Sequence, residues 1–333
     1  MNDQSQHAHI AEADIIAFLA DRELHATVVT PYADGVASRN FRATGPGDLD
    51  LTVRCDFRRT LDKVREDRRY SELANGQGIS VPLGTWIDGH IRNVAATARP
   101  TIDGTSLAQA AVSRLPAPGR IGEMLAALHK VAAPSGNRRF FYGGLLDASD
   151  SIWQSFPQAR AAFHQECESD ISELIEEAMT RLKREVSRLR AVTEMRCSMI
   201  HGDFNPPNIL ISGTELVLID WEKACAGYPI ADLVQAVYYF GARYGRHDLP
   251  FAGEFMQAYT KIHHIPQPIL DLWLFCFPAF IFLRDTVSAS LQPLDPLGRM
   301  QMARFLAYVR NDSAPRFRDF LKNEQAIRDA VLN

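Results

Sequence analysis

The chain has 333 residues, of which 46% are apolar and 23% charged, the balance of a folded globular protein rather than a disordered one. At roughly 100–200 residues per domain, that length predicts two domains or one two-lobed domain. A net charge of −4 excludes the basic field that draws a chain onto nucleic acid or anionic lipid. Five scattered cysteines without a CxxC pair (Cys55, Cys167, Cys197, Cys225, Cys276) argue against a disulfide framework or zinc knuckle and for a reducing cytoplasm.

In chain order, the polar stretch Met1–Ile10 lacks a signal-peptide layout. A short helix is expected over Ile10–Leu24, then a strand at Thr27–Val29 and a loop Asp34–Asn40 leading into Phe41–Thr44. Gly45-Pro46-Gly47-Asp48 is a turn signal, after which Leu49, Leu51 and Val53 alternate with polar neighbours as in a half-buried strand running to Cys55. Arg58–Ala74 is highly charged but spaces Leu61, Val64 and Leu73 helically, and Ile79–Pro82 opens β-type sequence that reaches about Arg99. Beyond Asp103-Gly104 the pattern becomes helical. Ile121, Met124, Leu125 and Leu128 share one face, and Ile171, Leu174, Ile175, Ala178, Leu182, Val186 and Leu189 form a long stripe. The apolar run Leu272–Leu283 falls short of the ~20 residues that span a bilayer and reads as a buried core helix, so no membrane partner is expected.

The chemistry is concentrated between the long stripe and that helix. Pro206 and Pro207 force a loop over Asp203–Pro207, and the apolar runs Asn208–Ile211 and Leu216–Asp220 flank Ser-Gly-Thr-Glu as a hairpin. Folding such a hairpin returns Asp220 to the level of Pro207 and Asn208 across strands ~4.8 Å apart. An amide oxygen and a carboxylate are hard ligands that suit Mg²⁺ while leaving room for water and phosphate oxygens. Asp203, in the adjoining loop, is placed to orient and deprotonate an attacking hydroxyl. An aspartate base beside an asparagine and an aspartate on metal is what phosphoryl transfer asks for.

The run His201-Gly202-Asp203 with Asn208, followed after the hairpin by Ile219-Asp220-Trp221-Glu222, resembles the signature of the aminoglycoside phosphotransferase and choline kinase group, the small-molecule relatives of protein kinases. Gly227-Tyr228-Pro229 through Asp232-Leu233, and Leu125 through Leu128-His129, resemble further stretches of that group. The resemblance implies an α+β, bilobal protein-kinase-like fold. A small antiparallel β-sheet lobe over 1–102 would bind nucleotide, and a larger, mainly helical lobe over 103–333 would carry the base and the acceptor pocket.

By the same resemblance Asp203 is the catalytic base, Asn208 and Asp220 bind Mg²⁺, His201 supports the loop, and Asp232 anchors the helix start or the loop by hydrogen bonds. Glu222 either backs the metal or faces the substrate. On the nucleotide side, Arg54 stands where the protein-kinase template has a phosphate-contacting lysine, with Glu66 of the next helix as its expected partner. Ser38 and backbone amides of the 34–40 loop would cover the phosphates. The implied activity is transfer of the γ-phosphate of ATP to a hydroxyl of a small molecule. A catalytically silent nucleotide-binding module is the alternative, and the absence of D-F-G and A-P-E elements argues against a protein kinase.

Overall fold

The computed structural model describes residues 10–32, 38–57, 59–82, 84, 86–132, 169–191, 197–245, 249–290, 303–304 and 306–332. The backbone groups into two compact units, Met1–Ser106 with Ile209–Lys223, and Leu107–Asn208 with Ala224–Asn333.

The first unit is built on alternation. Strands β1 (Val28–Pro31), β2 (Ser38–Gly45), β3 (Leu49–Asp56), β4 (Ile87–Ile91) and β5 (Val94–Pro100) form one antiparallel sheet in the order β1-β2-β3-β5-β4. Its register sets Arg54 opposite Thr97 and Val53 opposite Ala98. One face therefore carries Val53, Cys55, Ala96 and Ala98, packed with Phe41 and Ala43 against Ile15, Phe18 and Leu19 of α1 (Glu12–Ala20). The opposite face carries Thr52, Arg54, Asp56, Thr97 and Arg99. The β4–β5 connection is a two-residue turn in which Arg92 and Asn93 both have positive φ, the geometry that matches strand twist.

Two expectations shift at their edges. α1 ends at Ala20 rather than near Leu24, closed by Glu23 at φ +63° and by Leu24 N–H donating to Leu19 O. Ile79–Pro82 is not a strand: Gly78 turns the chain at φ +81°, Pro82 has no N–H to give, and pairing begins only at Ile87. The charged helix appears as α2 (Leu61–Asn75). The hairpin forms, with β8 (Ile209–Ser212) against β9 (Glu215–Leu218), but Ser212 pairs with Glu215, so the turn is Gly213-Thr214 rather than four residues, and Asn208 and Asp220 lie just outside the strands; the hairpin joins the first unit. There β8 pairs with β6 (Thr105–Ser106), and Leu218 N–H donates to Ser80 O.

The second unit is mainly helical: α3 (Pro118–Leu128), α4 (Ser169–Ala191), α5 (Pro229–Gly245), α6 (Leu249–Thr260), α7 (Gln267–Ser290) and α8 (Ala314–Leu332), with one small ribbon of β7 (Ser198–Ile200) and β10 (Cys225–Gly227). The long stripe is α4, whose Ile171, Leu174, Ile175, Ala178 and Leu182 are buried; the side chains of Val186 and Leu189 lie outside the described residues. α7 continues through Pro278 and buries Phe277, Phe280 and Phe282, the last stacked on Phe317 of α8 at 5.0 Å. Among the described residues no helix is long and apolar enough to cross a membrane.

Candidate active site

The polar face of the first unit's sheet gathers charge around Arg54. Its Nη1 donates to Asp220 Oδ1 at 2.8 Å and its Nη2 to Glu222 Oε2 at 2.5 Å, with Asp56 3.7 Å away. Two features bring the carboxylates there: the β8–β9 hairpin returns the chain to the sheet, and Asp220 adopts a left-handed backbone (φ +64°) just past its end. A non-glycine residue in that region costs on the order of 1 kcal/mol, so the position is held by its surroundings. One helical turn, Trp221–Lys223, then packs against α2. A cavity of about 40 Å³, room for about three waters, lies among these groups, with Arg59, Asp67 and Arg99 on its wall.

The charges here are unevenly matched. Burial alone would lower the pKa of Arg54, but Asp220 and Glu222 outweigh it and hold the guanidinium above its ordinary value. Burial pushes the Asp67 carboxyl up despite its bidentate contact with Arg59 at 2.5 and 2.6 Å. Among the described residues Arg99 has no carboxylate in ion-pair range, and burial pushes it down to about 10, opposed in part by the more distant Asp220.

The second unit organises the loop Ile200–Asn208. Asp232, fully buried near the start of α5, accepts the backbone N–H groups of His201 (2.6 Å) and Gly202 (2.9 Å). His129 Nε2 lies 3.4 Å from the same carboxylate, and His129 Nδ1 meets Tyr259 Oη at 2.7 Å. His201 Nδ1 accepts Asp203 N–H at 3.3 Å, so the ring braces the loop. Phe204 is fully buried and begins an aromatic chain through Phe240 and Phe251 to Phe255.

On that support the Asp203 carboxylate is held by amides from three residues. Asn205 Nδ2 (3.1 Å) and Gln235 Nε2 (3.2 Å) donate to Oδ1, while Asn208 Nδ2 donates to Oδ2 (3.3 Å) and to Asp203 O (2.9 Å). Asn208 itself ends a short helical turn, Pro206–Asn208, just before β8.

The structure thus groups Arg54, Asp220 and Glu222 in one unit and His201, Asp203 and Asn208 in the other. It does not pair Arg54 with Glu66, which lies against Lys63 at 3.1 Å. Successive helix residues point ~100° apart, and it is Asp67, one position on, that α2 turns toward the cavity. Ser38 is buried at the start of β2 opposite Asp56, while 34–37 of the expected phosphate loop lie outside the described residues. Asp56, Arg59, Asp67, Arg99, Asn205 and Gln235 were not singled out from sequence. Alternation from Arg54 reaches Asp56, and a three-residue step from Asp232 reaches Gln235; Arg59 and Asp67 had no such signal.

Each unit carries, on its own, a hard oxygen donor of the kind a divalent cation takes. Asn208 spends its amide N–H groups on Asp203, which leaves an oxygen for a cation, and Asp220 is a carboxylate. Among the described residues no three His, Cys, Asp or Glu side chains form a ready-made cage, and Mg²⁺ does not need one because it is completed by water and phosphate oxygens.

No curated protein matches the chain in sequence. Solved structures do resemble it. A spectinomycin phosphotransferase in complex with ADP and spectinomycin has a TM-score of 0.65 at 13% identity over 96% of this chain and 98% of that one. A microcompartment-associated aminopropanol kinase has a TM-score of 0.63 at 14% identity over 96% and 99%. The macrolide 2′-phosphotransferase of Brachybacterium faecium has a TM-score of 0.54 at 18% identity over 91% and 97%. At such identities the likeness shows the fold, which is that of small-molecule kinases. The profile of the phosphotransferase enzyme family matches residues 28–268, well over half of the sequence, and the chain belongs to that family.

Proposed function

We propose that the protein is an ATP- and Mg²⁺-dependent phosphotransferase that moves the γ-phosphoryl group to a hydroxyl of a small molecule. The observation that carries the reading is the Asp203 carboxylate, held at both oxygens by amide donors on a loop strapped to α5. A carboxylate fixed in this way accepts the hydrogen bond of an incoming hydroxyl in one orientation and takes its proton as the O–P bond forms.

Asn208 and Asp220 are the proposed Mg²⁺ ligands, with Glu222 backing Asp220 through their shared arginine. When bound, the ion neutralises charge on the transferring phosphoryl group. Arg54 is the phosphate-facing cation: its rigid fork already spans two carboxylates and suits phosphate oxygens equally. Arg99 is a second such cation, since a desolvated guanidinium without a carboxylate gains from an arriving anion.

The acceptor class is a hydroxylated small molecule. Proteins of the same fold are named for spectinomycin, a macrolide and aminopropanol, which makes amino alcohols and hydroxylated antibiotics the first compounds to try. The test is ADP release from ATP and Mg²⁺ with a panel of such compounds, repeated for Asp203→Asn. General-base catalysis contributes ~10²–10⁴, so kcat should fall by that factor with the nucleotide KM little changed. Full turnover by Asp203→Asn refutes the assignment of the base, and nucleotide binding without turnover on any acceptor refutes the enzyme.

A further inference from the structure

We infer that Gln235 is a positioning residue that fixes the orientation of the Asp203 carboxylate; the inference rests on the reading of Asp203 as the base and extends it to a residue outside the loop. Gln235 lies on α5, three residues after Asp232, and residues at that spacing share a helix face. That face therefore grips the loop twice. Asp232 holds the backbone of His201 and Gly202, and Gln235 Nε2 donates to Asp203 Oδ1 at 3.2 Å. Asn205 donates to the same oxygen and Asn208 to the other, but both belong to the loop and move with it. Of these three amides, the one from Gln235 ties the carboxylate to a long helix, α5.

The side chain is poorly explained as a packing residue. It is 1% exposed, and its Oε1 is buried without a hydrogen-bond partner among the described residues. A buried carbonyl left unsatisfied opposes folding, and leucine, of similar size, would avoid that cost. Turning the amide over offers no relief, because Oε1 would then face the oxygen of a carboxylate. Among the described residues the amide is thus oriented by Asp203 alone. The torsion that swings an aspartate carboxylate is broad and weakly restrained by itself, so its orientation is set by donors such as this one. Small misplacements of a catalytic group are expensive in rate.

The test compares wild type with Gln235→Leu, and with Gln235→Met should the leucine variant fold poorly. Melting should be unchanged or raised, because the orphaned carbonyl is gone. With the acceptor that gives ADP release in wild type, kcat should fall ~10–100-fold while the KM for ATP stays constant, a split that a purely structural role would not produce. Crystal structures of wild type and variant supply a readout independent of activity: the Asp203 carboxylate should turn, or divide between orientations, once the donor is lost. An unchanged carboxylate in the variant overturns the inference whatever the activity, as does an unchanged kcat. A turned carboxylate in a protein whose wild type transfers no phosphate sustains the positioning role and refutes the kinase reading instead.

Discussion

Replacing Arg54 by methionine tests the charge cluster of the first unit most directly. The substitution keeps most of the apolar stem and removes a guanidinium bonded to Asp220 at 2.8 Å and Glu222 at 2.5 Å, with Asp56 at 3.7 Å. At an effective dielectric of ~20, each close pair is worth ~4 kcal/mol before desolvation is subtracted. The three principal side chains keep 25%, 32% and 24% of their surface exposed, so water takes up part of the loss. Fully exposed pairs contribute ~0–1 kcal/mol, whereas stripping one partner from a buried pair costs ~3–5 kcal/mol, and this intermediate case should cost on the order of 2 kcal/mol.

Urea unfolding at neutral pH measures that cost. Because the substitution leaves carboxylates facing one another, millimolar Mg²⁺ should stabilise Arg54→Met more than wild type, where the guanidinium already serves Asp220. A stability loss below ~0.5 kcal/mol, within the range of a surface pair, would refute the weight given to the cluster. An equal Mg²⁺ response in both proteins would refute the idea that cation and guanidinium compete for the same carboxylate.

Two further predictions concern the second unit. Burial pushes the pKa of His129 below its ordinary value, with Asp232 opposing the shift, while the unfolded chain takes up that proton near pH 6.5. The unfolded state therefore binds more protons as pH falls below ~6.5, and stability should fall with it by up to ~1.4 kcal/mol per pH unit until the native histidine also titrates. His129→Gln should flatten that slope in urea titrations at about pH 8 and about pH 5.5, and equal slopes in variant and wild type would remove His129 as the cause. At the α3–α6 contact, a Cβ on Gly122 would come closer than 3.0 Å to Phe255 O, whereas one on Gly119 would meet Ala258 at an ordinary 3.7 Å. Gly122→Ala should cost ~1–3 kcal/mol by overpacking and Gly119→Ala should be close to neutral; the reverse order in thermal melts would contradict the helix packing.

What could be read from sequence was governed by local rules. Strand alternation set Val53 and Cys55 on the core face and Arg54 on the polar one, and Ser-Gly-Thr-Glu between apolar runs fixed the β8–β9 hairpin. The long stripe of α4 and the apolar run within α7 followed from period and composition. What failed needed distances that sequence does not contain. Arg54 finds Asp220 and Glu222 at separations of 166 and 168 residues, in preference to Glu66, only 12 positions away. One position along α2 decides whether a carboxylate meets Lys63 or faces the cavity, and the few apolar residues that mark its buried face, such as Val64, Tyr70 and Ala74, do not resolve the helix to within 100°.

The two clusters solve one problem in different ways. A carboxylate that meets a substrate, the role proposed for Asp203, cannot be buried in the core, and a loop that carries it is the least rigid place in a fold. In the second unit rigidity comes from a helix: α5 fixes the backbone of His201 and Gly202 with a carboxylate and the side chain of Asp203 with an amide, while the buried Phe204 pins the strand-to-loop exit. In the first unit it comes from a sheet, because Arg54 stands on β3 between two paired strands and its fork sets the spacing of Asp220 and Glu222. The amide is neutral and donates without competing for a proton or a metal ion. The arginine is charged, and it holds Asp220 with the same attraction that a cation would exert. Substitutions at Gln235 should therefore lower kcat without loss of stability, whereas those at Arg54 should move stability and cation affinity together.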